Sequence, residues 1–268
     1  GDLLPADGDA FRAGLPLEAA DVPGRVARLR PLFADYPAIL DYVERAGGML
    51  PQVLTGRESA LETLFPGGDV RIARGIYETS PVARYFNGLL RAAAAAAAAH
   101  GGRRLRLVEI GAGTGGSTAA LLAHLPADRV SYTFTDVSQV FLGNARARFA
   151  ACPFIEYALL DIERPPEEQG FGAHAYDVAI AANVLHATRD LKATIDHVLQ
   201  LLGPGGVLLL YETTAHPVWF DVTTGLIEGW QRFEDPLRGD NPLIGADTWI
   251  AQLREQGFEE AIAFLEED

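Results

Sequence analysis

Between residues 25 and 90, apolar side chains recur every three or four positions: Val26, Leu29, Leu32 and Phe33, then Ile39, Leu40, Tyr42 and Val43. This period puts them on one face of successive helices. Asp35-Tyr36-Pro37 and Phe65-Pro66-Gly67-Gly68 punctuate the run, and nothing in it has strand character. Ser80-Pro81 opens a longer helix, with serine as N-cap and proline at the first helical position. That helix carries the alanine tract Ala92 to Ala99 and stops at Gly101-Gly102. Alanine is the strongest helix former, so the low complexity predicts helix rather than disorder.

After Arg104 the pattern becomes an alternation of strands and helices. Strands are predicted at Leu105 to Ile110, Ser131 to Thr135, Ile155 to Leu160, Tyr176 to Ala182 and Val207 to Tyr211. Helices are predicted between them, at Gly116 to His124, Ser138 to Phe149 and Leu191 to Leu202. Such alternation implies an α/β fold with a doubly wound parallel sheet, whose ligands bind beyond the carboxyl ends of the strands. Further helices are expected near Asp221 to Phe233 and Ala246 to Gln256, then a strand-like stretch, Ala261 to Leu265. The expected organisation is a lead-in over 1–24, a helical lid over 25–102 and a core over 103–268. The missing initiator methionine and missing closing antiparallel strand suggest a domain cut from a longer polypeptide.

The first strand runs into Glu109-Ile110-Gly111-Ala112-Gly113-Thr114-Gly115-Gly116. Gly111, Gly113 and Gly116 fit the dinucleotide pattern G-x-G-x-x-G, a weak signal by itself. The acids around the loop change its meaning. Glu109 stands where it can attract the ammonium of a methionine moiety and would repel a diphosphate. Asp136 ends the second strand, where a carboxylate can accept both ribose hydroxyls, and Asp161 ends the third, within reach of an adenine amino group. Acids at three successive strand tips suit the cationic sulfonium nucleoside S-adenosylmethionine. The competing possibility is an NAD-binding fold in which Asp136 holds ribose and the other acids cap helices.

Of the six histidines, His100, His124, His174, His197 and His216 fall on helices or ordinary loops. His186 follows the fourth strand in Ala182-Asn183-Val184-Leu185-His186-Ala187-Thr188, at the sheet's carboxyl edge. Glu212 ends the fifth strand, and neighbouring strands would bring the two together. A carboxylate on one imidazole nitrogen fixes the tautomer and stabilises the imidazolium formed when the other nitrogen takes a proton. The alternative is that Glu212 caps the next helix. No metal is expected, although a magnesium site among Asp136, Asp161, His186 and Glu212 stays open.

Bulk properties narrow the partners. The 268 residues suffice for one generous α/β domain with a helical accessory region. Apolar residues make up 49% and charged residues 22% of the chain. No apolar run reaches the roughly 18 residues of a membrane span, so a soluble protein is expected. A formal charge of −14, with Lys192 the sole lysine among 22 basic residues, argues against a nucleic-acid partner. The single cysteine, Cys152, suits a reducing cytoplasm.

The stretch from Val108 to Phe233 resembles the methyltransferase domains embedded in modular polyketide synthases and hybrid peptide synthetases. The phrases that carry the resemblance are Val108 to Gly116, Phe134-Thr135-Asp136-Val137-Ser138, Leu160-Asp161-Ile162-Glu163, Ala182 to Leu191, Pro204-Gly205-Gly206 and Gly229-Trp230-Gln231-Arg232-Phe233, with Tyr77-Glu78-Thr79-Ser80-Pro81 upstream. It implies a class I, Rossmann-like core that binds S-adenosylmethionine and releases S-adenosylhomocysteine, with Glu109, Gly111, Gly113, Gly115, Asp136, Val137, Asp161, Ile162 and Asn183 around the cofactor. It also implies His186 and Glu212 as a base dyad, and Tyr77, Tyr85 and Trp230 as lid or substrate-channel residues. The implied substrate is a polyketide intermediate held as a phosphopantetheine thioester on an acyl carrier protein, with other synthase domains in the same polypeptide. Arg25, Arg28 and Arg30 are candidates for docking that acidic carrier. Members methylate either the α-carbon of a β-ketoacyl thioester or a β-hydroxyl oxygen. The compact lid favours oxygen, since carbon-methylating domains generally carry a longer amino-terminal region. A free-standing small-molecule methyltransferase and a non-catalytic scaffold domain are the remaining alternatives.

Overall fold

The computed structural model describes residues 6–7, 10–11, 20–100 and 103–264. Most of the lead-in, the Gly101-Gly102 stop and Leu265 therefore lie outside the described residues. Two compact units divide the chain, Gly1–Asp35 and Tyr36–Asp268. In the first, Ala6–Asp7 pairs antiparallel with Ala10–Phe11, and helix α1 (Val22–Leu29) starts where the Asp21 carboxylate accepts the Gly24 N–H at 2.9 Å.

The second unit opens with helical α2 (Pro37–Leu54), α3 (Leu61–Leu64) and α4 (Arg71–Arg74), a π-type turn over Gly75–Thr79, and α5 (Pro81–His100). Ser80 caps α5 as expected, its hydroxyl accepting the Ala83 N–H at 3.0 Å. The alanine tract has a packing role besides its propensity. Leu90, Ala94 and Ala98, four residues apart, face the sheet, and the fully buried Ala94 lets the helix come close to it.

Five parallel strands make the sheet: β1 (Leu105–Ile110), β2 (Val130–Asp136), β3 (Ile155–Leu159), β4 (Tyr176–Ala182) and β5 (Leu202–Tyr211), in the order β3-β2-β1-β4-β5. Between them run α6 (Gly116–Leu122), α7 (Gln139–Arg148) and α8 (Leu191–Leu201), with α9 (Ala246–Glu255) after the last strand. β1 alternates its side chains between two cores. Leu105 and Leu107 meet Ala94, Ala98, Tyr132 and Phe134, whereas Val108 and Ile110 meet Ile195, Val198 and Trp249. Both faces of the sheet are thus covered, as a parallel sheet requires. Strand order reverses between β1 and β4, and that is where such folds open a ligand crevice.

Three expectations are corrected. The fifth strand begins at Leu202 instead of Val207, because a register slip between Tyr176 and Val178 absorbs Gly203-Pro204-Gly205-Gly206. No α-helix forms over Asp221 to Phe233; short 3-10 turns at Val218–Val222 and Thr224–Leu226 stand there. Gly225 packs so closely that a Cβ would lie 2.7 Å from the Phe220 carbonyl oxygen, and Gly229 takes φ +104°. Both features favour turns over a continuous helix. Finally, of the strand-like stretch Ala261 to Leu265, the described residues 261–264 form no strand and pair with none among the described residues.

Candidate active site

The glycine loop leaves β1 at the crevice. Gly111, Gly113 and Gly115 have φ of +61°, +54° and +78°, conformations that L side chains rarely adopt. Two of them also make close approaches. A Cβ on Gly111 would lie 2.3 Å from Val184 Cγ2, and one on Gly115 would lie 2.8 Å from Phe149 Cε2. Gly113 is different, since the space beside it is open and its nearest neighbour is the Gly111 carbonyl oxygen at 3.9 Å. The loop therefore packs against the loop that carries Val184 and His186 on one side and leaves an open cradle in the middle.

Asp136 closes that cradle. Its Oδ2 accepts the Gly113 N–H at 2.9 Å and its Oδ1 accepts the Ser138 N–H at 2.8 Å. Burial pushes its carboxyl up, partly offset by these backbone donors. A carboxylate has about four acceptor sites, so two remain for hydroxyl donors. Val137 follows with its side chain 68% exposed, an apolar surface suited to a nucleoside. Asp161 Oδ1 accepts the Glu163 N–H at 3.0 Å, and the Gln169 amide brackets its backbone. Ile162 turns its side chain into the core beside Leu160 and Phe171, and its carbonyl accepts from His197 Nδ1 at 2.7 Å. Ile162 is thereby 5% exposed, with most of its side chain committed to the core.

Glu109 is buried beneath the loop. Its Oε2 accepts hydroxyl hydrogen bonds from Thr118, at 2.5 Å, and from Tyr132. Burial pushes its carboxyl up to about 7, against the opposing effect of those hydroxyls.

Across the crevice, β4 and β5 end side by side. His186 Nδ1 lies 2.5 Å from Glu212 Oε2. Glu212 Oε1 accepts the N–H groups of Val184 at 3.1 Å and Leu185 at 2.8 Å. One carboxylate therefore holds both the imidazole and the backbone that carries it, leaving Nε2 to collect a proton. Trp230 meets the imidazole edge-on at 5.4 Å between ring centres. Asn183 sits at φ +52°, and its Oδ1 accepts from the Thr213 backbone and hydroxyl, both at 3.0 Å. Left-handed backbone in a residue other than glycine is costly and clusters at functional sites.

A pocket of about 240 Å³ opens onto His186. Asn183, Thr213, Thr224 and Tyr77 supply polar groups, and Ala187, Phe220, Ile227, Trp230 and Leu243 supply apolar walls. Tyr77 comes from the π-type turn, a form often found at functional positions. Of the three expected substrate residues, Tyr77 and Trp230 line the pocket. Tyr85 does not; it is 47% exposed and packs edge-on against Phe86. Asn183, expected beside the cofactor, lines the pocket as well. Thr213, Phe220, Ile227 and Leu243 escaped the sequence; Ile227 fell in the segment read as helix, and the other three lie in loop stretches that carry no motif. No group of His, Cys, Asp or Glu among the described residues could hold a metal ion. No helix among them is long and apolar enough to cross a membrane.

Residues 108–208 match a family model described as a methyltransferase domain. The chain is 42% identical over 231 residues to polyketide synthase ThaQ of Burkholderia thailandensis, an alignment that covers 82% of this chain and 11% of that synthase. This chain thus spans about a tenth of the length of that relative. The solved CurJ carbon methyltransferase superposes with a TM-score of 0.94 at 38% identity, covering 99% of this chain and 72% of that one. The trans-methyltransferase CalH, solved with SAH, superposes with a TM-score of 0.77 at 32% identity over 88% of this chain and 66% of its own. With the open glycine cradle, the strand-tip acids and the imidazole–carboxylate pair, these likenesses identify the chain as belonging to the S-adenosylmethionine-dependent methyltransferase domains of polyketide synthases.

Proposed function

We propose that this domain methylates the α-carbon of a β-ketoacyl thioester carried on the phosphopantetheine arm of an acyl carrier protein. The observation that carries this choice is the likeness to the CurJ carbon methyltransferase over 99% of the chain, helical segment included. The compact helical segment is matched within that carbon methyltransferase, so its presence supports carbon as well as oxygen. Bound S-adenosylmethionine would supply a methyl group activated by its sulfonium.

The chemistry at His186 agrees. A hydroxyl resembles water, whose pKa is about 15.7, against a reference of about 6.5 for imidazole. Such a proton can leave only as the methyl arrives. An α-carbon between two carbonyls gives up its proton far more readily, so Nε2 can take it first while Glu212 stabilises the resulting imidazolium. The mostly apolar pocket excludes water from the enolate. Gly111, Gly113, Gly115, Asp136, Val137 and Asp161 would hold the cofactor across the crevice, with Glu109 beneath the loop. The helical segment before Arg103 would roof the acyl chain through Tyr77.

The test uses S-adenosylmethionine labelled with carbon-13 in its methyl group, offered with a β-ketoacyl carrier, a β-hydroxyacyl carrier and the free acids. The expected NMR product carries a methyl on the α-carbon of the ketoacyl carrier. A methoxy signal, or equal turnover of the free acids, would overturn the assignment of atom or of carrier.

A further inference from the structure

A second anchor holds the base from behind the pocket. The Arg238 side chain has no exposed surface, and it meets the fully enclosed Asp235 carboxylate at 2.5 Å. Its Nη1 donates to the His186 carbonyl at 2.8 Å, and its Nη2 donates to the Arg189 carbonyl at 2.8 Å. Asp235 in turn accepts the N–H of Leu191 at 2.9 Å and of Leu237 at 3.1 Å. The guanidinium lies over the Phe233 ring, 5.2 Å from its centre. Its Nε finds no acceptor among the described residues.

We propose that Arg238, aimed by Asp235, is a positioning residue that fixes the backbone of His186 and so sets the direction of the imidazole toward the α-carbon. The proposal rests on the reading of His186 as the base. Two clamps then grip the loop from opposite ends. Glu212 takes the N–H groups of residues 184 and 185 and the imidazole itself, while Arg238 takes the carbonyls of residues 186 and 189. A buried ion pair is a poor device for stability alone, because desolvation of two charges offsets most of their attraction. It is a good device for holding two carbonyls at a set spacing, because the planar fork presents several donors in fixed directions. Lysine keeps the charge but concentrates its donors on one nitrogen, so it cannot span both carbonyls and the carboxylate in this geometry.

The decisive variant is Arg238→Lys, assayed in the 268-residue chain beside parent and His186→Ala. A misplaced base of about 1 Å costs up to roughly 100-fold. The expected result is a fall in kcat of about 10- to 100-fold, with KM for the acyl carrier and Kd for S-adenosylmethionine within about twofold of parent and Tm retained. The imidazole N–H resonance of His186 should shift or broaden as well. The double variant Asp235→Asn with Arg238→Gln removes both charges together and serves as the second reading. A kcat within twofold of parent in a folded variant overturns the proposal, as does failure of both variants to fold, which would mark the pair as structural. Full activity in His186→Ala would instead overturn the base assignment, so the two failures are distinguishable.

Discussion

At the residue scale, a buried carboxyl and a tightly packed glycine make the site sensitive to small changes. Burial raises the Glu109 carboxyl from 4.5 to about 7, so the folded protein favours its protonated form. That contribution to stability is fully present below about pH 4.5 and is lost as pH rises through about 7. Glu109→Gln cannot titrate, and in cofactor-free protein it is expected to flatten the fall in unfolding free energy across that window. Urea denaturation at a series of pH values would reveal the change, and an unchanged slope would exclude Glu109 as its source. Gly111 couples the two loops. In Gly111→Ala the new methyl would meet Val184 at 2.3 Å in a backbone of φ +61°, which displaces the loop carrying His186 and weakens the cradle. Left-handed backbone alone costs about 1–2 kcal/mol in such a residue. Turnover is expected to drop about 10- to 100-fold with weaker S-adenosylmethionine binding by calorimetry.

Much of this was legible from residue type and position. His186 and Glu212 were paired from their places at adjacent strand ends, and they meet. Arg238 gave no such signal, because sequence cannot distinguish an arginine buried against two carbonyls from one that solvates a loop.

At the element scale, strands β1 to β4 and helices α6 to α9 follow the sequence closely because each of these strands is a short apolar run bounded by turns, and two of the helices carry side-chain caps. Ser138 and Asp190 cap α7 and α8, accepting the N–H groups of Phe141 at 3.5 Å and Ala193 at 3.1 Å. The segment from Asp221 to Phe233 was misread for an equally physical reason. Ile227 and Trp230 serve a pocket wall, not a helical face, and their spacing imitates a helix that Gly225 and Gly229 prevent. Helix α5 offers a direct check on why the alanine tract exists. Ala94→Leu adds bulk where the helix approaches the sheet with no spare room. It should cost about 1–3 kcal/mol, seen as a fall of several degrees in Tm by calorimetry. An unchanged Tm would mean that the tract serves propensity alone.

At the scale of the whole molecule, the site straddles the place where strand order reverses. The glycine loop and Asp136 lie beyond β1 and β2, and His186 and Glu212 lie beyond β4 and β5, so in the proposed reaction the methyl donor and the proton acceptor would be delivered from opposite sides of one crevice. Arg148 ties the upstream helical segment to this arrangement. It bonds Glu78 at 2.6 Å and the Thr114 carbonyl at 2.9 Å, next to the turn that carries Tyr77. The pocket wall is thereby referenced to the glycine loop. Whether oxygen or carbon receives the methyl was not legible in the sequence, because the same base and carboxylate suit both reactions. Likeness to a carbon methyltransferase along nearly the full chain moved the choice to carbon.

The central claim is that His186, held by Glu212, removes the substrate proton, and a single-turnover measurement on His186→Ala tests it most directly. Loaded with S-adenosylmethionine and mixed with a β-ketoacyl carrier, this variant should transfer methyl at least about 100-fold more slowly than parent, while its Kd for the cofactor stays within about threefold. A rate near that of the parent, at full cofactor occupancy, would contradict the account.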